Sequence, residues 1–172
     1  MNEETAESLA AAALEKIARA FAGRRPPSLI TDSLQLTDGE YAEVMAFEGL
    51  RWEDVDFELV RDCPDAVFWF SPEAYCYYLP GILAAGLRAG RWDSNAYDSI
   101  IGCLDRTPEP DYWDDFFLPR WPRLSAPELE AVAARAGWLE LVQPDGYHAN
   151  TYQRVQETLR LLKWQVQRGS SH

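Results

Sequence analysis

Residues 68–83 read FWFSPEAYCYYLPGIL, and the fold turns on how this ring-rich stretch is understood. A ligand pocket, a partner surface and a core helix would each account for so many large side chains. The local chemistry favours the helix. Ser71 is placed to accept a backbone N–H as N-cap, Pro72 suits the first turn, and Glu73 favours the positive end of the helix dipole. Tyr75, Tyr78, Leu79, Ile82, Leu83 and Leu87 then recur at helical spacing, which predicts one buried face. Pro80 lacks an N–H and crowds the carbonyl of Cys76, so a kink or break is expected there.

Working outward, most of the chain reads as helix. Residues 3–22 place Leu9, Ala13, Leu14, Ile17, Ala18 and Phe21 on one stripe, ended by Gly23 and Pro26-Pro27. Thr37-Asp38-Gly39-Glu40 has the form of a capping box and opens a helix through about Phe47. A third helix is expected between Trp52 and Cys63, and another from Asp93 or Ser94 through Leu104. The segment 107–128 holds five prolines in 22 residues, which predicts a long loop with one helical turn at Tyr112–Phe117. Ser125-Ala126-Pro127-Glu128 is a second capping box, with its helix expected to stop at Gly137. Trp138–Val142 reads as a short extended piece, and Thr151–Gln167 as an amphipathic helix carrying Val155, Leu159, Leu162 and Val166. The expected fold is therefore mainly α, a single-domain helical bundle over residues 1–172, with long Pro-rich loops and at most a short β element. The closing Gly-Ser-Ser-His is read as native or expression-derived.

The chain has 172 residues and a net charge of −12. That length suffices for a hydrophobic core, and that charge repels the phosphate backbone, which is bound through Lys and Arg clusters. Direct nucleic-acid or anionic-membrane binding is not expected, whereas a basic partner would be attracted. Cys63, Cys76 and Cys103 show no CxxC spacing, which predicts free thiols and a cytoplasmic setting. No apolar run approaches the roughly 20 residues that span a bilayer.

Chemistry-bearing motifs are sparse. The chain carries no GxSxG, HExxH, Walker A or GxGxxG. His148, in a turn-rich stretch, reads as a loop histidine bonded to backbone or water, and Cys76 as an inert core thiol. Carboxylates cluster in WEDVDFE (52–58) and DYWDDFF (111–117). Converging acids hold Mg²⁺ or act as an acid/base pair, but on one helix Asp54 and Glu58 would share a face while Asp56 points elsewhere. The second cluster lacks the glycine and terminal glutamate of a calcium loop. A solvated acidic surface is the favoured reading, with no catalytic, metal or cofactor residues assigned.

The distribution of charge says more. Residues 32–65 hold 11 acids against Arg51 and Arg61, a balance of −9, and residues 105–115 hold five acids against Arg106. Aromatic side chains sit among them. Rings set inside an acidic rim suit the binding of a basic protein. The candidate partner-binding residues are Trp52, Glu53, Asp54, Asp56, Glu58, Asp111, Tyr112, Trp113, Asp114 and Asp115. Phe57 and Phe117 read as core; Trp113 fits either role.

The block Phe70-Ser71-Pro72-Glu73-Ala74-Tyr75, followed by Tyr77-Tyr78-Leu79-Pro80, resembles the core of an uncharacterised bacterial family. Members of that family share an aromatic–(Ser/Thr)-Pro-Glu-Ala-(Phe/Tyr)-x-Tyr-Tyr-Leu-Pro block. The likeness extends over roughly residues 36–105 and brings no catalytic residues with it. In size, acidity and this block the chain also resembles type VI secretion immunity proteins of the TsiT type, which pair with nuclease toxins. That resemblance implies an inhibitor of a cognate toxin with a basic, nucleic-acid-binding surface, acting without chemistry of its own. A metal-dependent hydrolase using the carboxylate clusters and an adaptor for a non-toxin target are the alternatives.

Overall fold

A computed structural model describes residues 3–169; the reading of the terminal Ser170-Ser171-His172 lies outside the described residues. Among the described residues there are eight α-helices, three 3-10 turns and no strand. The helices are α1 (Glu3–Ala20), α2 (Asp38–Met45), α3 (Phe57–Asp62), α4 (Ala66–Trp69), α5 (Pro72–Ala89), α6 (Asn95–Leu104), α7 (Ala126–Val142) and α8 (Thr151–Gly169). The protein is mainly α. Its residues form two compact units, Gly23–Ser99 and the remainder, with the second division falling inside α6 between Ser99 and Ile100.

The Gly23–Ser99 unit is organised by α5. Ser71 caps it, its Oγ accepting from the Ala74 N–H at 3.1 Å while donating to the Leu29 carbonyl at 2.6 Å. The helix ends where Gly90 adopts φ 61°, a left-handed conformation that costs glycine little. Every residue from Ala74 to Leu87 is buried. The spacing of large apolar residues predicted one buried face; the small Ala84, Ala85 and Gly86 and the thiol of Cys76 are buried as well. α5 is thus a central core helix. It also runs unbroken through Pro80, contrary to a break there. Proline in a helix interior costs about 3 kcal/mol, and here Pro80 is buried among packed neighbours that hold the helix together.

Three rings of the opening stretch, Phe70, Tyr77 and Tyr78, cluster with Phe47. Phe47 meets Phe70 at 5.1 Å and Tyr78 at 5.4 Å between centroids, both edge-on. The Tyr78 hydroxyl donates to the Phe47 carbonyl at 2.7 Å. Burial, with Tyr77 and Glu48 nearby, pushes that phenol up to about 12. Gly81 matters for what lies on top of α5. A Cβ there would stand 2.2 Å from the Trp52 carbonyl oxygen, so the 3-10 turn Trp52–Asp54 sits against α5 only because residue 81 has no side chain.

In the other unit α1 packs on α7 and α7 on α8. The buried stripe of α1 is narrower than its spacing predicts: Ala13, Ile17 and the following Phe21 are buried, while Leu9 and Ala18 are exposed. Ser125 and Glu128 complete the expected capping box at the start of α7. α7 does not stop at Gly137. It runs on to Val142, so the extended piece expected at Trp138–Val142 is helix instead. The burial of Trp138 and Leu139 outweighs a mid-helix glycine, which costs only about 1 kcal/mol relative to alanine. On α8, Tyr152, Val155, Leu159 and Leu162 are buried together with Thr151 and Thr158.

Candidate functional site

The first acidic segment is not one helix. The 3-10 turn Trp52–Asp54 ends at Val55, and Asp56 starts α3 as its N-cap, accepting from the Leu59 N–H at 2.8 Å. The short helix expected between Trp52 and Cys63 is α3, but Asp54 lies before it, so Asp54 and Glu58 do not share a helix face, which corrects that placement. Capping fixes Asp56 at the break: an aspartate there satisfies a backbone donor that the interior of a longer helix would not offer. Trp52, Val55 and Phe57 point into the unit, whereas Glu53, Asp54, Asp56 and Glu58 are exposed. Glu53 pairs with Arg51 at 3.1 Å, and Glu58 with Arg61 at 2.5 Å. The Asp54 carboxylate makes no ion pair or side-chain hydrogen bond among the described residues.

The second acidic segment opens with the 3-10 turn Pro110–Tyr112, not the helical turn expected at Tyr112–Phe117. Asp111, Asp114 and Asp115 are exposed. Asp114 is committed locally. Its carboxylate accepts from the backbone N–H groups of Phe116 and Phe117 at 3.0 and 2.8 Å, and it faces Arg106 at 3.3 Å. Burial opposes its ionisation, but these donors outweigh burial and hold the carboxyl below its usual range. Asp111 and Asp115 have no side-chain partner among the described residues. Trp113 meets Phe117 at a tilt, 4.8 Å between centroids, and Phe117 stacks on Trp121 at 5.9 Å.

Two of the candidate anchors are therefore misplaced. Trp52 is 5% exposed and Trp113 7%, so neither ring is available to a partner docking on this structure. They are core side chains, because turn geometry directs them inward against α5 and the Phe117–Trp121 stack. Tyr112, 72% exposed, is the ring that the second segment does present. The acids keep the placement expected of them. Of the 11 in residues 32–65, none is buried; Glu40 and Glu43 are half-buried and the rest exposed. The two segments belong to different compact units.

Other candidate chemistry is equally placed. His148 is exposed in the loop before α8, and Cys63, Cys76 and Cys103 are all free thiols. Burial raises the Cys103 thiol above its usual range, against the opposing hydrogen bond from Trp121. Among the described residues no three His, Cys, Asp or Glu side chains gather as a metal-binding group, and no helix is long and apolar enough to cross a membrane. Helical spacing does not single out Tyr77 as a site residue, yet from within α5 it lines a cavity with Glu48 and Arg51. Its i, i+1 placement beside Tyr78 gave no signal that one hydroxyl would be used internally and the other left over. No family model matches the chain, and neither a curated protein nor a solved structure does.

Proposed function

We propose that this protein is an inhibitor of a basic partner protein, the partner being a cognate toxin of the nuclease class delivered by a type VI secretion system. Its place of action on this reading is the cytoplasm, where an incoming nuclease would do harm. One observation carries the reading: the Gly23–Ser99 unit holds the −9 stretch with every one of its acids at or near the surface. A nuclease must present positive charge to the phosphate backbone. An acidic surface attracts that same face and speeds encounter with it. Asp32, Asp38, Glu48, Asp54 and Asp65 add to this, since their carboxylates have no ion pair or side-chain hydrogen bond among the described residues. They are free to meet a partner's cations without first breaking internal pairs. No catalytic step by this chain is needed.

The test is co-expression. Cells producing the toxin-like product of the gene adjacent to this one should survive only when this protein is made, and the two should co-purify. Survival without physical association, or association with a protein that harms no cell, would remove the inhibitor reading.

A further inference from the structure

The acidic unit contains a cavity. It encloses about 180 Å³ and is lined by Pro26 and Pro27 on one side, Glu48 and Arg51 on another, and Tyr77 and Tyr78 from α5. Tyr78 is satisfied by the Phe47 carbonyl. Tyr77 is not: its hydroxyl makes no hydrogen bond within the protein among the described residues, and although the residue is only 3% exposed, the oxygen is not sealed off from solvent. Glu48 brings a second unused group, an exposed carboxylate with no ion pair or side-chain hydrogen bond among the described residues. Arg51 does not cancel it, because its guanidinium is held by Glu53 at 3.1 Å. Behind the wall, Glu73 accepts from both the N–H and the hydroxyl of Ser28, at 3.0 and 2.8 Å. Arg24 and Arg25 precede Pro26 in the chain but do not line the cavity. The cavity thus combines aromatic and proline surfaces with one phenol, one free carboxylate and an arginine already paired with Glu53.

We infer that this cavity is a subsite for one arginine side chain of the protein partner. A guanidinium is planar and weakly hydrated; it stacks on rings and donates several hydrogen bonds at once. The Glu48 carboxylate takes a charge-assisted bond, the Tyr77 oxygen accepts another, and the ring and proline surfaces cover the methylene stem. The inference rests on the basic-partner reading and deepens it by locating one contact. An acidic side chain is disfavoured by the unpaired Glu48 carboxylate, and an aliphatic one would cover the Tyr77 hydroxyl without giving it a partner.

The probe is N-acetyl-arginine amide, titrated into the full chain and followed by amide chemical shifts, with the norleucine and glutamate analogues as controls. Saturable shifts at Glu48–Arg51 and Tyr77–Tyr78, given by the arginine compound and not by the controls, are expected. Glu48→Gln should weaken that binding by about tenfold, in line with loss of a charged hydrogen bond, and Tyr77→Phe should weaken it less. Both variants should keep the wild-type circular dichroism. Shifts spread over the acidic surface without saturation, equal shifts with norleucine, or preference for glutamate would overturn the subsite. A second arm uses the partner itself. If both variants bind it as the wild type does, the subsite is wrong while the inhibitor reading stands; if the wild type binds no basic partner, that reading fails, and the titration still decides the cavity.

Discussion

Residues 52–58 and 111–117 carry the same written pattern, acids between aromatic rings, yet the structure uses them differently. In the first, both rings, Trp52 and Phe57, are buried and only carboxylates face outward. In the second, Trp113 and Phe117 are buried but Tyr112 stands clear of the surface. The difference lies in what each 3-10 turn packs against. The first rests on α5 at a point opened by Gly81, which draws its tryptophan under the turn. In the second, Asp114 caps the Phe116 and Phe117 N–H groups and Trp113, packed at a tilt on the Phe117–Trp121 stack, fills the interior, leaving the preceding tyrosine outside. Acid–aromatic alternation therefore marks a surface segment without saying which ring the surface keeps.

The strongest way to break this comparison is to truncate the rings. Trp113→Ala and Trp52→Ala should each destabilise by about 3–5 kcal/mol, as buried aromatics do, whereas Tyr112→Ala should stay within about 0.5 kcal/mol of wild type. Urea unfolding measures all three. Equal effects for Trp113 and Tyr112 would mean that the second segment is not folded as described. Next in size is Gly81→Ala, which forces a methyl group against the Trp52 carbonyl. It should cost about 1–3 kcal/mol, the usual range for overpacking, and displace the first segment alone. Amide shifts of residues 51–58 would show that displacement.

Smaller effects separate acids that build structure from acids that only face water. Asp56→Ala removes an N-cap and should cost about 1 kcal/mol; Asp54→Ala, two residues away, should change stability by less than about 0.5 kcal/mol. Thermal melts of the pair at one pH give the contrast. The second unit should also show acid sensitivity of its own. The Nε of Arg154 donates to Asp105 at 2.5 Å, Thr151 donates at 2.8 Å, and together they hold the Asp105 carboxyl below its usual range. A carboxyl with a depressed native pKa stabilises the fold fully above its unfolded value, near about pH 4, and loses that contribution as pH falls through the native value. Stability measured between neutral pH and pH 3 should therefore drop less steeply in Asp105→Asn than in wild type.

Much of this fold was legible from local chemistry. Ser71, Thr37 and Ser125 each announced a helix start, because an N-cap acts on backbone donors within three residues. What stayed hidden depended on neighbours distant in sequence. Pro80 reads as a kink or break and Gly137 as a stop, but tertiary packing overrides propensity where the helix is buried. The break at Asp56 was equally invisible, since the same residues suit either a capped short helix or the middle of a longer one. For the candidate site, the exposure of the acids followed from their cost of burial. The burial of Trp52 and Trp113 did not, because it depends on Gly81 and on the Phe117–Trp121 stack.

The central claim is that the acidic surface of the Gly23–Ser99 unit recruits a basic protein. It is tested most directly by association kinetics with the product of the adjacent gene, at about 0.01 M and about 0.15 M salt, between which the Debye length shortens from roughly 30 Å to 8 Å. The account predicts an on-rate that falls about tenfold or more as salt rises, with dissociation little changed. It also predicts that Asp54→Lys slows association at low salt while leaving the melting temperature in place. An on-rate independent of salt, and unaffected by Asp54→Lys, would contradict it.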